Sequence, residues 1–264
     1  MEQNGQGTNE IENDDNSAYE EEKGNAVAHK DNALQKLNAL LLKYINNPET
    51  IAKSDKLSYW LEDYCRYLYL EDKFNPKFMK KYERGDVIKV NLGYNIGNEE
   101  GGLHYCIVVD KHNSNLSGVV TVIPLTSDKE KTPRFADVAL GKEIYIKLNE
   151  KLDAIKLIVS KNINEINKNE NEKNVELLSE TVNMLKIIKK IEDELSKMKK
   201  GSIAMIGQIT TISKQRIYDP QKMGDILSGI RISNESLDKI NEKMKQLFFK
   251  IFMNLYEFYL TKFI

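Results

Sequence analysis

Apolar residues along this chain change their spacing twice, and the changes mark its organisation. Between residues 32 and 72 they recur every three to four positions. Leu34, Leu37, Leu41, Tyr44 and Ile45 form one stripe behind an Asp31/Asn32 cap; Trp60, Tyr64, Tyr67 and Leu68 form another, with Leu61 and Cys65 beside it. A 3.6-residue period puts such positions on one side of a helix, which predicts helices over 32–46 and 55–72. An aromatic stripe of that period is expected to be core, although tyrosine-rich helices can also stack RNA bases. Asn75-Pro76 closes the region.

From Arg84 the period becomes two. Val87, Lys89 and Asn91 alternate with Ile88, Val90 and Leu92, and a polar, glycine-rich loop follows over 93–102. Further strands are predicted at 104–110, 119–125, 136–140, 143–148, 202–212 and 226–232. Short strands with short polar connections suggest a small antiparallel barrel. Between them, residues 150–200 return to a helical period and read as a long hairpin broken at 167–174. Its second arm repeats Leu178, Val182, Leu185, Ile188, Ile191, Leu195 and Met198. The lysines opposite (Lys186, Lys189, Lys190, Lys197, Lys199 and Lys200) read as a solvated face, with phosphate contact as the sharper alternative. A last helix is predicted from Asn234, capped by Ser233, with Leu237, Ile240, Met244, Leu247 and Phe248 facing inward. The fold class is therefore α+β: residues 1–28 a disordered acidic tail, 29–80 a helical extension, and 81–264 a barrel domain interrupted by helices at 150–200.

Composition changes this picture in two places. The 264 residues carry a formal charge of −1, from 39 basic and 40 acidic side chains. Residues 1–24 hold eight acids and one base, a charge of −7, so the other 240 residues carry +6. A mildly basic body is compatible with a polyanionic partner, and the acidic segment reads as a solubilising leader or as an RNA mimic lying over that body. Cys65 and Cys106 lie 41 positions apart and form no C-x-x-C pair, which excludes a disulfide framework and favours a reducing cytoplasm. The acidic, polar opening lacks the pattern of a signal peptide. The apolar stretch 247–264 is interrupted by Lys250, Glu257 and Lys262, so an amphipathic helix and not a membrane span is expected. His104, Cys106 and His112 match no standard metal spacing, so neither metal nor cofactor is expected.

Arg84-Gly85-Asp86-Val87-Ile88-Lys89-Val90-Asn91-Leu92, followed by Gly97-Asn98-Glu99-Glu100-Gly101-Gly102-Leu103-His104, resembles the opening of the PemK/MazF toxin family. That family reads R-G-D-[VI]-x-x-x-[DN]-L and then G-S-E-Q-G-G-x-R-P. Two further segments agree in order. Val122-Ile123-Pro124-Leu125-Thr126-Ser127 looks like the family's central strand, and residues 202–216 look like its S-x-x-x-x-x-Q-[IV]-x-T-[IV]-x-K-x-R strand and turn. Together the segments cover roughly 84–148 and 201–264. Thr126-Ser127-Asp128-Lys129 also resembles a stretch of the related toxins whose antitoxin is an RNA, and those relatives carry helical insertions in the barrel.

The resemblance implies an SH3-like barrel of the PemK/MazF/CcdB kind and metal-independent endoribonuclease cleavage of single-stranded RNA. It also implies an antitoxin partner, protein or RNA, and a homodimer like that of the compact relatives. There are departures: the family's catalytic arginine after Gly-Gly is His104 here, and the following proline is Tyr105. Without a metal, RNA is cut by attack of its own 2′-OH on the adjacent phosphorus, which leaves a 2′,3′-cyclic phosphate and a 5′-OH. The enzyme must move two protons and stabilise phosphoryl charge.

Histidine titrates near neutrality and suits proton transfer, so His104 is the expected proton-transfer group, Lys129 the phosphate clamp, and Thr126 and Ser127 the donors to non-bridging oxygens. Arg84, Asn98, Glu99, Gln208, Lys214 and Arg216 are the expected RNA contacts. Glu99 and Glu100 read by default as solvated loop-tip acids; the sharper readings are that they keep the loop from binding RNA prematurely or position the 2′-OH proton acceptor, with a carboxylate base as the fallback if His104 is dispensable. The alternative function is a module on the same fold that has lost cleavage with the Arg-to-His change and only grips RNA or a partner.

Overall fold

The computed structural model describes residues 7–128, 132–168, 173–198 and 200–249. By its internal packing the chain divides after Cys65. The first unit holds α1 (Gly7–Ile45) and most of α2 (Ile51–Leu70). Between them the Thr50 hydroxyl donates to the Tyr44 carbonyl at 3.0 Å, and the Asn47 side chain accepts from the Glu49 amide at 2.9 Å. Two expectations fail here. The segment 7–28 is helical, not disordered. It contains no proline, the helix formers Glu20–Glu22 and Ala26–Ala28 continue directly into the leucine-bearing part, and a Glu20–Lys23 pair at 3.1 Å supports one turn. The aromatic stripe of α2 is not core either: Tyr64 and Leu68 are exposed and Trp60 is only half-buried, its ring 5.8 Å from that of Tyr64.

The second unit is an antiparallel sheet with helices against one face. Its strands are β1 (Val87–Asn91), β2 (Leu103–Val108), β3 (Val119–Ser127), β4 (Asp137–Gly141), β5 (Ser202–Met205), β6 (Thr210–Ser213) and β7 (Ile217–Asp219). The order is β4-β5-β3-β2-β1-β7, with β6 pairing β3 off that path. β4 and β7 end the path, and no pairing between them closes it among the described residues. β3 organises the rest. It pairs with β2 through Cys106↔Pro124, Ile107↔Ile123 and Val108↔Val122, with β6 along Val119–Val122, and with β5 along Leu125–Ser127. Pro124 cannot donate to a ladder, and it sits where the partner changes from β6 to β5.

Alternation in the strands builds two cores. Val87, Ile107, Ile123 and Leu125 face the helices, α3 (Glu143–Ile166), α4 (Lys173–Lys197) and α5 (Asn234–Phe248). Ile88, Val90, Cys106, Val108, Val120, Val122, Ile212 and Ile217 form a second cluster on the opposite face, with Leu92 and the buried Tyr82. A one-residue slip in any of these strands would exchange the two sets.

Two predicted strands are absent. Residues 143–148 open α3, where Ile144, Leu148 and Leu152 are buried at four-residue spacing. Residues 226–232 run beside β1 with a single bridge, Asp86↔Arg231, and their chain is held partly by Lys151, whose ammonium donates to the carbonyls of Asp225, Ile226 and Ser228 at 2.8–2.9 Å. The predicted run 202–212 splits into β5 and β6 around a 3₁₀ turn at Ile206–Gln208.

α5 begins where expected. The Ser233 hydroxyl accepts from the Ser236 amide, and Ile240 is buried, with Leu237, Met244 and Leu247 against the core; Phe248 is exposed. In α4 the buried stripe is Thr181, Ile188, Ile191 and Leu195, continued by Met198 just after the helix, while Leu178, Val182 and Leu185 face outward. The part of 247–264 beyond Phe249 lies outside the described residues. Among the described residues no helix is long and apolar enough to cross a membrane.

Candidate functional site

The glycine-rich loop between β1 and β2 is closed at its neck by the backbone. The Leu92 amide donates to Gly102 and the Gly102 amide to Gly93, at 2.7 and 2.6 Å. Gly102 has φ +86°, a conformation that L side chains rarely adopt, and a Cβ at Gly101 would lie 2.8 Å from the Gly93 carbonyl. Inside the loop, the Asn95 side chain donates to the Glu100 carbonyl at 2.6 Å. Gln208, from the turn after β5, accepts from the Glu100 amide at 3.2 Å and donates to the Asn98 carbonyl at 3.1 Å. The loop is therefore held against the β5–β6 turn, and the side chain of Glu100 is aimed at β2.

There it meets His104. The Nε2 of His104 lies 3.1 Å from the Glu100 Oε1, and the Nδ1 lies 3.1 Å from the Leu125 carbonyl. A carbonyl can only accept, which assigns a proton to Nδ1 and leaves Nε2 as the nitrogen that shares or exchanges one with Glu100. The two side chains are 26% and 28% exposed, reachable from solvent yet partly desolvated. β-alternation places Thr126 on the same face as His104, since Val120 and Val122 of β3 and Cys106 of β2 all belong to the second cluster. Ser127 is one residue further along and takes the opposite face. Cys106 is buried beneath, where burial pushes its thiol far up, so it is no nucleophile.

Beside the dyad is a cleft of about 350 Å³, lined by Glu100, Asn95 and Glu99 of the loop, Pro124 of β3, and Gln208 and Arg216. Arg216 donates from Nε to the Asn91 carbonyl at 2.8 Å, and burial draws its guanidinium down from its ordinary value, partly countered by Tyr67. The expected residues therefore separate. His104, Thr126, Glu99, Asn98, Gln208 and Arg216 lie at this end of the sheet.

Three expected residues do not belong to it: Ser127, which takes the opposite face, Lys214 and Arg84. Lys214 is buried, and its ammonium donates to the Ser114 carbonyl at 3.0 Å. Arg84 sits at the other end of the β1–β2 hairpin, five to six residues or about 20 Å away, where its guanidinium binds the Val109 carbonyl and the Asn241 side chain. Lys129 lies outside the described residues. The sequence named Glu100 only as a fallback. The spacing Glu100-x-x-x-His104 across a Gly-Gly pair is the signal that could have found the dyad.

The rest of the Arg84-Gly85-Asp86 motif is also architectural. Asp86 is buried and takes Lys80 at 2.8 Å, Arg231 at 2.9 Å and the Glu83 amide at 3.1 Å. Among the described residues no group of three or more His, Cys, Asp or Glu side chains converges as metal ligands would.

Residues 83–193 match the family model of the PemK-like, MazF-like toxins of type II toxin–antitoxin systems. The match runs from the turn before β1 through most of α4, 111 of the 264 residues, and stops short of β5, β6 and β7, which complete the same sheet. No curated protein matches the chain.

Proposed function

From a chain that carries a PemK/MazF-type toxin domain over residues 83–193, we propose that it is the toxin of a toxin–antitoxin pair and cuts single-stranded RNA by attack of the 2′-OH. The observation that carries this reading is the Glu100–His104 contact at 3.1 Å beside a cleft that shares Glu100. It puts an acceptor and a donor of protons side by side where the family has an arginine.

In the proposed step the Glu100 carboxylate takes the 2′ proton as the 2′ oxygen bonds to phosphorus. His104 gives a proton from Nε2 to the 5′ oxygen as the P–O5′ bond breaks. The products are a 2′,3′-cyclic phosphate and a 5′-OH. The Thr126 hydroxyl, on the His104 face, donates to a non-bridging oxygen, and Arg216 supplies positive charge at the cleft wall. Lys129 completes the clamp in the resemblance-based reading. Gln208 and Asn98 hold the loop, and Glu99 contributes to the cleft that takes the flanking nucleotide. We read the sheet, with a second core made almost entirely of strand residues, as a half-open SH3-like barrel. An antitoxin of protein or RNA, a homodimer and a cytoplasmic setting belong to the same reading.

One observation favours the binding module instead: both ring nitrogens of His104 already have partners within the chain. Cleavage of a long single-stranded RNA by His104→Ala and Glu100→Gln separates the two. The ribonuclease reading expects each variant to lose about 10²- to 10⁴-fold in rate while still binding RNA. Wild-type protein that binds RNA without cutting it would establish the module.

A further inference from the structure

A second concavity, about 570 Å³ in volume, shares Arg216 with the first cleft, and the proposed chemistry uses none of its other lining residues. One wall is the end of α2 and the turn after it, through Arg66, Tyr67, Lys73 and Phe74; these residues precede the family match. The other wall is the Arg216–Tyr218 segment leading into and along β7. Its chemistry is unlike that of the catalytic cleft. Three aromatic rings (Tyr67, Phe74 and Tyr218) share the lining with the exposed cations Arg66 and Lys73 and the half-buried Arg216, the Arg66 guanidinium lying 5.6 Å from the Tyr67 ring, over an apolar floor that includes Leu70, Met79 and Ile217. The fourth cation of the lining, Lys214, is turned away to Ser114. No carboxylate lines it among the described residues, whereas Glu99 and Glu100 both line the first cleft.

The lining carries net positive charge and aromatic faces, so the ligand that suits it is anionic and presents a flat apolar face to the rings. A nucleotide satisfies both requirements, because every base has a π-face and every linkage a negative charge. An acidic peptide answers only the first. The pocket is also prepared for it: the Tyr67 hydroxyl is held by the Asn91 side chain at 3.4 Å, so the ring is oriented before a ligand arrives, and Tyr218 is 67% exposed on an edge strand. Arg216 lines both concavities, so one guanidinium stands between two adjacent positions.

We propose that this pocket is a second RNA subsite, which stacks an unpaired base of the same single strand whose neighbouring nucleotide occupies the cleft beside the Glu100–His104 contact. The choice of RNA as occupant rests on the ribonuclease reading; the stacking and charge argument does not. The subsite takes bases with little sequence preference, since the described lining offers stacking faces and charge more than a fixed set of base-edge donors.

The test measures binding of the full chain to a fluorescently labelled 2′-O-methyl RNA 12-mer, which has no free 2′-OH to react. Tyr218→Ala should weaken binding about 5- to 100-fold, the range of one lost base stack. Tyr218→Phe should retain wild-type affinity. Lys73→Gln should reduce the salt dependence of binding. Unchanged affinity in Tyr218→Ala would overturn the proposal, as would an equal loss in Tyr218→Phe. Displacement of the RNA by polyglutamate at matched charge would also overturn it, because charge alone would then suffice. A wild-type protein that never cuts RNA but shows the Tyr218 pattern would keep the subsite and remove the ribonuclease reading; normal cutting without the Tyr218 pattern would do the reverse.

Discussion

Single residues in this protein divide between holding the fold and facing a ligand, and their positions in a family-like motif do not tell which. Arg84 and Asp86 open the most recognisable stretch of the sequence, yet both are committed inside the chain. Asp86 is a buried carboxylate satisfied by Lys80, Arg231 and a backbone amide. Asp86→Ala should therefore cost roughly 3 kcal/mol of stability in urea unfolding, because it strands a Lys80 side chain that is itself almost fully buried. It should leave the catalytic rate of the remaining folded protein unchanged. His104 shows the opposite relation. As a lone histidine at a strand start it is unremarkable in sequence, and the structure gives it meaning through Glu100, four residues earlier. That contact was hard to read because it depends on how the Gly101-Gly102 pair folds the loop back, and glycine spacing does not say which of two adjacent glutamates will turn inward. Lys214 failed as a phosphate ligand for a related reason: a lysine in a polar turn reads as exposed, and only tertiary packing reveals that Ser114 takes its ammonium.

At the scale of elements, the alternating strands were legible and the short ambiguous runs were not. β1, β2 and β3 appear close to their expected bounds because both faces of each strand must be filled, which fixes period and register together. Residues 143–148 alternate polar and apolar for six positions, too few to tell a strand from the first turns of a helix; the buried Ile144, Leu148 and Leu152 decide it. Residues 226–232 are apolar enough for a strand, but the Ile226 and Ser228 carbonyls go to Lys151, and pairing beside β1 stops at the single Asp86↔Arg231 bridge.

The inserted helices are fastened to the sheet by a buried polar cluster. Glu194 of α4 accepts from Lys89 of β1 at 2.9 Å and from the Tyr105 hydroxyl of β2. Burial pushes the Glu194 carboxyl up, but these bonds and Lys197 outweigh it and hold it below the usual carboxylate range. A depressed folded value means the contribution is complete above the unfolded pKa of about 4.3 and is lost as pH falls through the folded value. Glu194→Gln should therefore be less stable than wild type at pH 7, and the gap should narrow below about pH 4 in urea midpoints measured across that range. The loop neck makes a separate prediction. Gly101→Ala places a methyl 2.8 Å from the Gly93 carbonyl, so the loop must open. RNA cleavage should fall at least 10-fold by loss of the Glu100 position, with the melting temperature nearly unchanged; equal cleavage would mean that the loop's closure is irrelevant to the chemistry.

For the whole molecule, the two faces of one sheet carry different duties. The helical face holds the larger core, the buried Glu194 cluster and the caps of α5, and it is where stability resides. The other face ends in the Gly-rich loop, the Glu100–His104 contact and the two concavities about Arg216, and it is where a ligand can enter. This division was readable in outline, because the resemblance runs along the strands that build that end. The N-terminal helices, with exposed Leu34, Tyr59 and Tyr64, carry no such pattern, and the expected core stripe of α2 fails because its sequence period fixes which residues share a side but not what covers them.

On the proposed function this face cuts RNA using the RNA's own 2′-OH, with His104 moving a proton. The most direct measurement maps the ends made from a long single-stranded RNA in EDTA, by wild type and by His104→Ala side by side. Wild type should leave 2′,3′-cyclic phosphate and 5′-OH ends, and the variant should lose those products by about two orders of magnitude or more. Products ending in a 5′-phosphate, or equal cutting by both proteins, would contradict it.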